Sequence, residues 1–248
     1  MENRPIITLV GRSIPPALEE KYDQWSEGAY IPIYMKLPGM RGIDEYKITK
    51  KNFELPSRLL IYHSDNLENR KKRAASPDAV ATARDRQTTF GMVEHFYVSG
   101  YELARTFKKG DLSVKVSNDT IVDGAPVIHI EGYQLPTEQY EKYEGWFNKW
   151  ASRVYVPLLL EIPGVKACNF FRLVDYKDPR YENVRFVESE MPRFISITYL
   201  KDSASAEEFN LSIQLAAFRI NMELEFIGSL KTIWNTEYQL FASHRPQA

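Results

Sequence analysis

The sequence predicts an α+β fold made of two tandem ferredoxin-like modules, each with the element order βαββαβ. Two observations predict it. The chain repeats itself along most of its 248 residues, and each copy alternates short β-branched runs with amphipathic helical segments. We place the first module at residues 1–103, a linker at 104–125 and the second module at 126–248.

The repeat is carried by matched anchors whose spacing grows along the chain. The spacing is 126 − 5 = 121 residues at the first strand and 238 − 101 = 137 residues at the last. A four-residue insertion between Trp146 and Tyr155, and twelve residues in the loop 175–192, account for the growth. The anchors are Pro5–Gly11 with Pro126–Gly132, Trp25 with Trp146, Tyr30-Ile-Pro32 with Tyr155-Val-Pro157, Leu37-Pro38-Gly39 with Ile162-Pro163-Gly164, and Tyr101 with Tyr238.

Local patterns predict the elements of each copy. Leu18, Tyr22 and Trp25 stand at i, i+4 and i+7, so they predict an amphipathic first helix, which the Pro-Gly element ends. Ser76-Pro77 and the spacing of Ser205 with Glu208 predict the start of each second helix. Runs rich in β-branched residues predict strands at 5–12, 41–48, 57–63, 93–101, 126–133, 166–173, 193–200 and 230–240.

Composition restricts the function classes. Hydrophobic residues make up 44% and charged residues 26%, with a formal net charge of -1, so we expect neither nucleic acid nor an anionic membrane as partner. A single cysteine, Cys168, and the lack of a visible signal peptide or long apolar run predict a cytoplasmic protein. Aromatic residues reach 13%, enough to line a ligand cavity as well as to fill two cores. The basic run Arg70–Arg73 is interpreted as part of a solvated loop.

Both copies resemble the dimeric α+β barrel superfamily, in its EthD-like and antibiotic-biosynthesis-monooxygenase-like branches. The resemblance rests on a Trp, an aromatic residue before Ile/Val-Pro, and a hydrophobic-Pro-Gly element before a strand. It implies that the two antiparallel sheets pair within the chain into an α+β barrel whose cavity binds a small hydrophobic or aromatic molecule. The superfamily has oxygenases without metal or flavin, isomerases, cyclases, lyases and haem-dependent members. A homodimer stays possible.

The sequence departs from the EthD-like motif at the residue before Ile/Val-Pro. A His is common there, but Tyr30 and Tyr155 occupy the position in this chain. Each tyrosine is a candidate hydrogen-bond donor or acid/base group, or a packed side chain whose hydroxyl is satisfied locally.

Strand alternation predicts which residues line the barrel. The face with Ile7, Leu9 and Gly11, like its counterpart in the second copy, is apolar or small and is expected to pack on helices. The opposite face then lines the cavity. It carries Arg12 in the first copy and His129, Glu131 and Tyr133 in the second. A His beside a carboxylate is a candidate acid/base pair, or a satisfied pair near a strand end.

The last strands supply a second set of candidates. One face of each carries alternating polar and aromatic side chains that are suited either to stacking on a flat ligand or to filling a core. They are His95, Tyr97, Ser99 and Tyr101 in the first copy, and Thr232, Trp234, Thr236 and Tyr238 in the second.

Two functions of different class remain open. The first is a cofactor-independent enzyme of oxygenase, isomerase, cyclase or lyase type that uses His129, Glu131, Tyr155 and Tyr30 as acid/base groups. The second is a non-catalytic ligand-binding or assembly protein. The sequence has no glycine-rich phosphate loop and no metal-ligand spacing, so neither a nucleotide cofactor nor a metal is expected. Haem binding through His95 or His129 is a minor third option.

Overall fold

In a computed structural model, the eight strands that the structure describes are hydrogen-bonded side by side in a closed sequence. The structure describes residues 4–48, 56–91, 94–108, 124–134, 145, 149–174, 191–213 and 231–246. The hydrogen-bonded order is β1-β3-β2-β8-β5-β7-β6-β4, which confirms the predicted α+β barrel. The strands are β1 Ile6–Ser13, β2 Met40–Ile48, β3 Arg58–Ser64, β4 Glu94–Lys108, β5 Val127–Gln134, β6 Val165–Leu173, β7 Phe194–Leu200 and β8 Lys231–His244.

The chain divides into two compact units. Unit 1 comprises residues 1–103, 174–190 and 240–248, and unit 2 comprises residues 104–173 and 191–239. Residues 104–108 continue β4, so the expected linker does not begin there. The predicted module boundaries themselves stay a prediction, and the proposed insertion at 175–192 lies almost wholly outside the described residues.

Unit 1 packs helices on one face of its sheet. Its core joins Val10, Ile43, Leu60 and Tyr62 of the strands with Tyr30 and other side chains of the first helical region. The helical elements are a 3₁₀ turn at Pro16–Leu18, α1 Glu19–Trp25, a first π-helix Ser26–Tyr30, α2 Ile31–Tyr34, α3 Leu67–Ala74 and α4 Pro77–Phe90.

Unit 2 repeats this packing. A second π-helix, Ala151–Tyr155, leads into α5 Val156–Glu161, and α6 spans Ser203–Ile213. Their apolar side chains pack against strand residues such as Val127, Phe170 and Phe194.

The two π-helices correct the alignment of the tryptophans. Trp25 contacts Tyr30 with ring centroids 5.2 Å apart, and Trp150 stacks on Tyr155 at 4.8 Å. Trp150 is therefore the structural counterpart of Trp25, whereas the sequence comparison had assigned that place to Trp146. The four extra residues of the second copy precede Trp150.

The starts of the later helices are partly as predicted. Ser76 caps α4, because its Oγ accepts a hydrogen bond from the backbone of Ala79 at 3.4 Å. In unit 2 the cap is Asp202, whose Oδ1 accepts from the Ser205 backbone N–H at 2.8 Å, so α6 starts before the predicted Ser205.

The basic run is a correction as well. Arg70–Arg73 lies in α3, and the arginines at both ends of the run are buried. The interpretation as a solvated loop was wrong because two of the four side chains turn inward, and the Arg70 guanidinium donates through Nε to Thr8 Oγ1 of the sheet at 2.8 Å.

Both Pro-Gly elements make turns that only glycine fits well. Gly39 and Gly164 have φ of +66° and +79°, a region that side chains disfavour. A Cβ at Gly39 would also overlap Asn69 of α3, and one at Gly164 would overlap Ser205 of α6. These glycines therefore let each first helical region turn directly beneath the next helix.

We expect Gly39→Ala and Gly164→Ala each to lower the free energy of unfolding by about 1–3 kcal/mol, because each combines backbone strain with a steric overlap. Urea denaturation measures the change. Gly28→Ala is the control, since a Cβ at Gly28 meets nothing within 4 Å. Equal unfolding midpoints for Gly28→Ala and Gly39→Ala would contradict the account.

Within the described residues, no helix is both long enough and apolar enough to cross a membrane.

Candidate functional site

The structure reverses the predicted assignment of the strand faces. Val10 belongs to the cluster that packs under the helices of unit 1, and Val127 and Tyr133 belong to the equivalent cluster of unit 2. The face expected to line the cavity is thus the helix-covered face. The other face, which carries Ile7 and Ile128, is turned away from the helices, and we call it the helix-free face of each unit.

Arg12 lies in a cluster of tyrosines beneath the first π-helix. Its guanidinium donates to the hydroxyl of Tyr22 and to those of Tyr30 and Tyr62, at 3.4 Å each. Burial raises the pKa of Tyr22, and the charge of Arg12 opposes this shift only in part. Arg12 and Tyr30 therefore form part of the packing between sheet and helices.

The helix-covered face of β5 carries the opposite charge at Glu131, two residues before Tyr133, which is the counterpart of Arg12 at 133 − 12 = 121. The carboxylate of Glu131 accepts hydrogen bonds from Tyr155, from Tyr133 at 2.7 Å and from Ser196 at 3.5 Å. Burial, reinforced by the charge of Glu131, raises the pKa of Tyr133 and of Tyr155 well above 10.0. Both tyrosines are consequently neutral hydrogen-bond donors.

His129 does not pair with Glu131 as the sequence predicted. Its ring packs against Phe209 of α6 with centroids 4.8 Å apart, and no described residue forms a hydrogen bond with either ring nitrogen. Burial lowers the pKa of His129, although Glu131 and Glu237 act in the opposite direction. His129 is thus a neutral side chain in the layer between sheet and helix.

For three of the remaining candidates, the structure describes the strand but not the side chain. They are His95 and Tyr97 in β4 and Trp234 in β8. Tyr238 is fully buried and pairs with Ile128, so it lies on the helix-free face of unit 2. The ligand-binding roles of these residues, like the catalytic roles of His129, Glu131, Tyr155 and Tyr30, stay predictions.

A cluster that the sequence did not predict lies on the helix-free face of unit 1. His63 Nε2 lies 2.8 Å from Asp44 Oδ2. The other carboxylate oxygen, Oδ1, accepts from Ser243 Oγ at 2.7 Å and from Arg245 Nη2 at 2.9 Å. His63 and Asp44 are 4% and 1% exposed. We call these four residues the His63–Asp44 cluster.

Strand register brings the cluster together. His63 pairs with Ile7 of β1 and with Gly42 of β2, and residues directly opposite in an antiparallel pair project to the same face. The glycine at position 42 leaves room for Arg245, because a Cβ there would lie 2.5 Å from its Nη1 and would displace the guanidinium. The absence of a Cβ allows the guanidinium to lie against β2 and reach Asp44.

Asp44 is ionised despite its burial. Burial raises the pKa of Asp44, but the hydrogen bond and charge of His63, together with Arg245 and Ser243, outweigh it and hold the pKa well below 3.8. An ionised carboxylate accepts hydrogen bonds only, so His63 carries its proton on Nε2. Nδ1 is then the atom through which the ring would accept a proton.

The rest of this face is almost entirely apolar. A histidine whose orientation is fixed by a buried carboxylate is the arrangement that general-base catalysis uses, and apolar walls suit a hydrophobic substrate. The buried side chains that share the face by register are Ile7, Leu9, Tyr46, Leu59, Ile61 and Tyr101.

No pattern in the sequence predicted this cluster. His63 was one of four histidines without metal-ligand spacing, and Asp44 stands beside Glu45 in a strand that also carries Arg41 and Lys47. Ser243 and Arg245 are 199 and 201 residues away from Asp44 in the chain, so only the register of β8 brings them near.

The described residues offer little for a metal or haem. Among them, no group of three or more His, Cys, Asp or Glu side chains could hold a metal ion. Burial raises the pKa of the Cys168 thiol to about 12, so this cysteine is a thiol rather than a thiolate ligand. His129 is not suited to be an axial haem ligand, because its ring packs against Phe209 of α6. A porphyrin bound there would have to separate α6 from the sheet.

Solved structures similar to this chain share its fold at very low sequence identity. An anthrone oxidase-like protein is 12% identical with a TM-score of 0.65, over 100% of this chain and 95% of that one. A monooxygenase-like protein from Fusobacterium nucleatum is 9% identical with a TM-score of 0.59, over 99% and 96%. A chlorite dismutase-like protein is 10% identical with a TM-score of 0.57, over 97% and 96%.

These likenesses show that the chain shares the fold of these proteins. No protein-family model matches the sequence, and no curated protein sequence matches it.

Proposed function

We propose that this chain is an enzyme of the cofactor-independent oxygenase type that acts on a small hydrophobic aromatic molecule. The observation that supports the proposal is the His63–Asp44 cluster, a buried and oriented acid/base pair on an otherwise apolar face. Oxygenase-type and oxidase-like names among proteins of the same fold agree with it. The acid/base role that the sequence assigned to His129 and Glu131 is performed in this proposal by His63 and Asp44.

The substrate would carry a weakly acidic C–H group that is conjugated with an aromatic carbonyl. His63 Nδ1 removes that proton, and Asp44 stabilises the imidazolium that forms. The carbanion reacts with O₂ and forms a C–O bond, and the peroxide takes the proton back from His63. Loss of water from the hydroperoxide then yields a ketone, so one oxygen atom enters the product and the other leaves as water.

Anthrone is the probe of choice, since it has such a C–H group and appears in the name of one protein of the same fold. One anthrone and one O₂ would give one anthraquinone and one water. The electrons come from the substrate carbon and the oxidant is O₂, so the balance requires no bound cofactor. The apolar face around His63 matches the fused rings of this compound.

The test is oxygen uptake by the purified chain with anthrone, followed together with anthraquinone formation. We expect uptake above the protein-free rate, with one O₂ consumed for each anthraquinone. Uptake that depends on a visible haem or flavin spectrum would reject cofactor independence. Anthrone that binds without any turnover would instead support the alternative function, a non-catalytic ligand-binding protein.

A further inference from the structure

The helix-free face of unit 2 carries a neutral counterpart of the His63–Asp44 cluster. Asn169 occupies the position of Asp44, at 169 − 44 = 125, and Tyr199 that of His63, at 199 − 63 = 136. Strand register agrees, because Asp44 pairs with Ile61 in unit 1 and Asn169 with Ile197 in unit 2. The Asn169 amide donates to the Tyr199 hydroxyl at 3.2 Å.

Thr106 completes this neutral set. It corresponds to Ser243 at 243 − 106 = 137, the spacing that also relates Tyr101 to Tyr238. The ring of Phe107 contacts that of Phe170 at 6.2 Å, which brings this part of β4 beside β6. Phe107 belongs to the helix-covered core of unit 2, so Thr106, one place earlier, lies on the helix-free face. Its counterpart Ser243 donates to Asp44 Oδ1 in unit 1, and this equivalence is the ground on which we place Thr106 near Asn169.

Two polar atoms of this set have no partner among the described residues. They are Asn169 Oδ1 and Thr106 Oγ1, in side chains of residues that are 0% and 3% exposed. Buried polar atoms without hydrogen bonds are costly, and an apolar side chain of the same shape would avoid the cost. Two such atoms at adjacent positions are therefore more consistent with a binding site than with packing.

We infer that Asn169 and Thr106 form a binding site for a neutral hydroxyl group carried on an apolar or aromatic body. Such a hydroxyl donates to Asn169 Oδ1 and accepts from the Thr106 hydroxyl. With the Asn169 amide in its other orientation, the hydroxyl accepts from Nδ2 instead, so a hydroxyl fits both cases. Buried apolar residues share the face by register and would surround the ligand: Ile128, Ile130, Ala167, Phe171, Ile195 and Ile197.

This site does not depend on the oxidation chemistry proposed for unit 1. Unit 2 has no ionisable pair at these positions, so its site recognises a group and does not transfer a proton. A phenol is the simplest occupant, since it combines one hydroxyl with a flat apolar ring. A single internal water molecule is the competing occupant.

Calorimetric titration of phenol and toluene, which differ mainly by a hydroxyl against a methyl group, tests the site. We expect the unmodified chain to prefer phenol. Thr106→Val should weaken phenol binding about tenfold, the loss typical of one buried hydrogen bond, and leave toluene binding unchanged. Without ligand, Thr106→Val should raise the thermal midpoint, because it removes a buried hydroxyl that lacks a partner.

Thr82→Val is the matched control. Thr82 is also buried, but its hydroxyl donates to the Asp78 carbonyl at 2.7 Å, so its loss should lower the thermal midpoint and leave phenol binding unchanged. The inference is wrong if Thr106→Val lowers the midpoint as Thr82→Val does, or if phenol and toluene bind equally. It is also overturned if a crystal grown with phenol shows only a water molecule between Thr106 and Asn169.

Discussion

Replacing His63 by Gln is expected to lower kcat for anthrone oxidation by about 10²–10⁴-fold, the usual contribution of a general base. Glutamine keeps similar size and can still donate a hydrogen bond to Asp44, but it cannot accept a proton in this pH range. KM should change little, because the apolar walls that would hold the rings are untouched. Steady-state oxygen uptake over a range of anthrone concentrations separates the two parameters.

His129→Gln is the matched control for this result. His129 lies beneath α6 against Phe209, so its replacement should leave kcat within about twofold, as for a residue outside the reacting site. The opposite pattern, with activity lost in His129→Gln and kept in His63→Gln, would restore the site that the sequence predicted. Tyr155→Phe is a second control of the same kind and should also leave kcat nearly unchanged. The Tyr155 hydroxyl donates a hydrogen bond to Glu131 beneath the second π-helix, on the helix-covered face of unit 2.

The fold was largely predictable because the repeat shows the same pattern twice. Anchors at both ends of each copy aligned the strands, and the strand bounds agree within two residues except at the C-terminal ends of β4 and β8. Those two strands run on to Lys108 and His244. Their extensions mix apolar residues with Arg, Thr, Ser and His and show no regular alternation, so local propensity did not distinguish them from a loop.

The site was not predictable, because both faces of each sheet are buried. In a half-exposed sheet, polarity identifies the outer face, but here Arg12 and Glu131 lie under helices and His63 lies on the other face. The charged residues lie on the helix-covered face because Tyr30 and Tyr155 extend from the two π-helices to the sheet. Their hydroxyls form hydrogen bonds with Arg12 in unit 1 and with Glu131 in unit 2. A strand pattern contains no information about such partners.

Comparison of the two copies shows where their chemistry diverged. Tyr30 and Tyr155 occupy equivalent positions but have different partners. The Tyr30 hydroxyl accepts a hydrogen bond from the guanidinium of Arg12, and the Tyr155 hydroxyl donates one to the carboxylate of Glu131. On the helix-free faces, an ionised Asp44 with His63 corresponds to a neutral Asn169 with Tyr199. On the helix-free faces the duplication therefore preserved the position of a polar pair and changed its ionisation, whereas on the helix-covered faces the charged residue also moved by two places.

Replacing Asp44 by Asn is expected to lower the free energy of unfolding at pH 7 by about 2–3 kcal/mol, the contribution of a carboxylate whose native pKa is held well below its unfolded value. The native pKa of Asp44 lies below its ordinary value of 3.8, so the stabilisation is fully present above pH 3.8 and is lost as the pH falls towards the native pKa. The variant has no such group to protonate, and the stability difference should shrink below pH 3.8.

Urea denaturation of both proteins from pH 7 down to pH 3 measures this difference. Asp65→Asn is the control, because Asp65 forms only a surface ion pair with Arg41 at 3.5 Å, with side chains 38% and 39% exposed. Its effect should stay within about 0.5 kcal/mol, as for exposed substitutions in general. A stability loss in Asp44→Asn that stays constant down to pH 3 would show that Asp44 acts through packing rather than charge, and the proton-transfer role of His63 would lose its electrostatic basis.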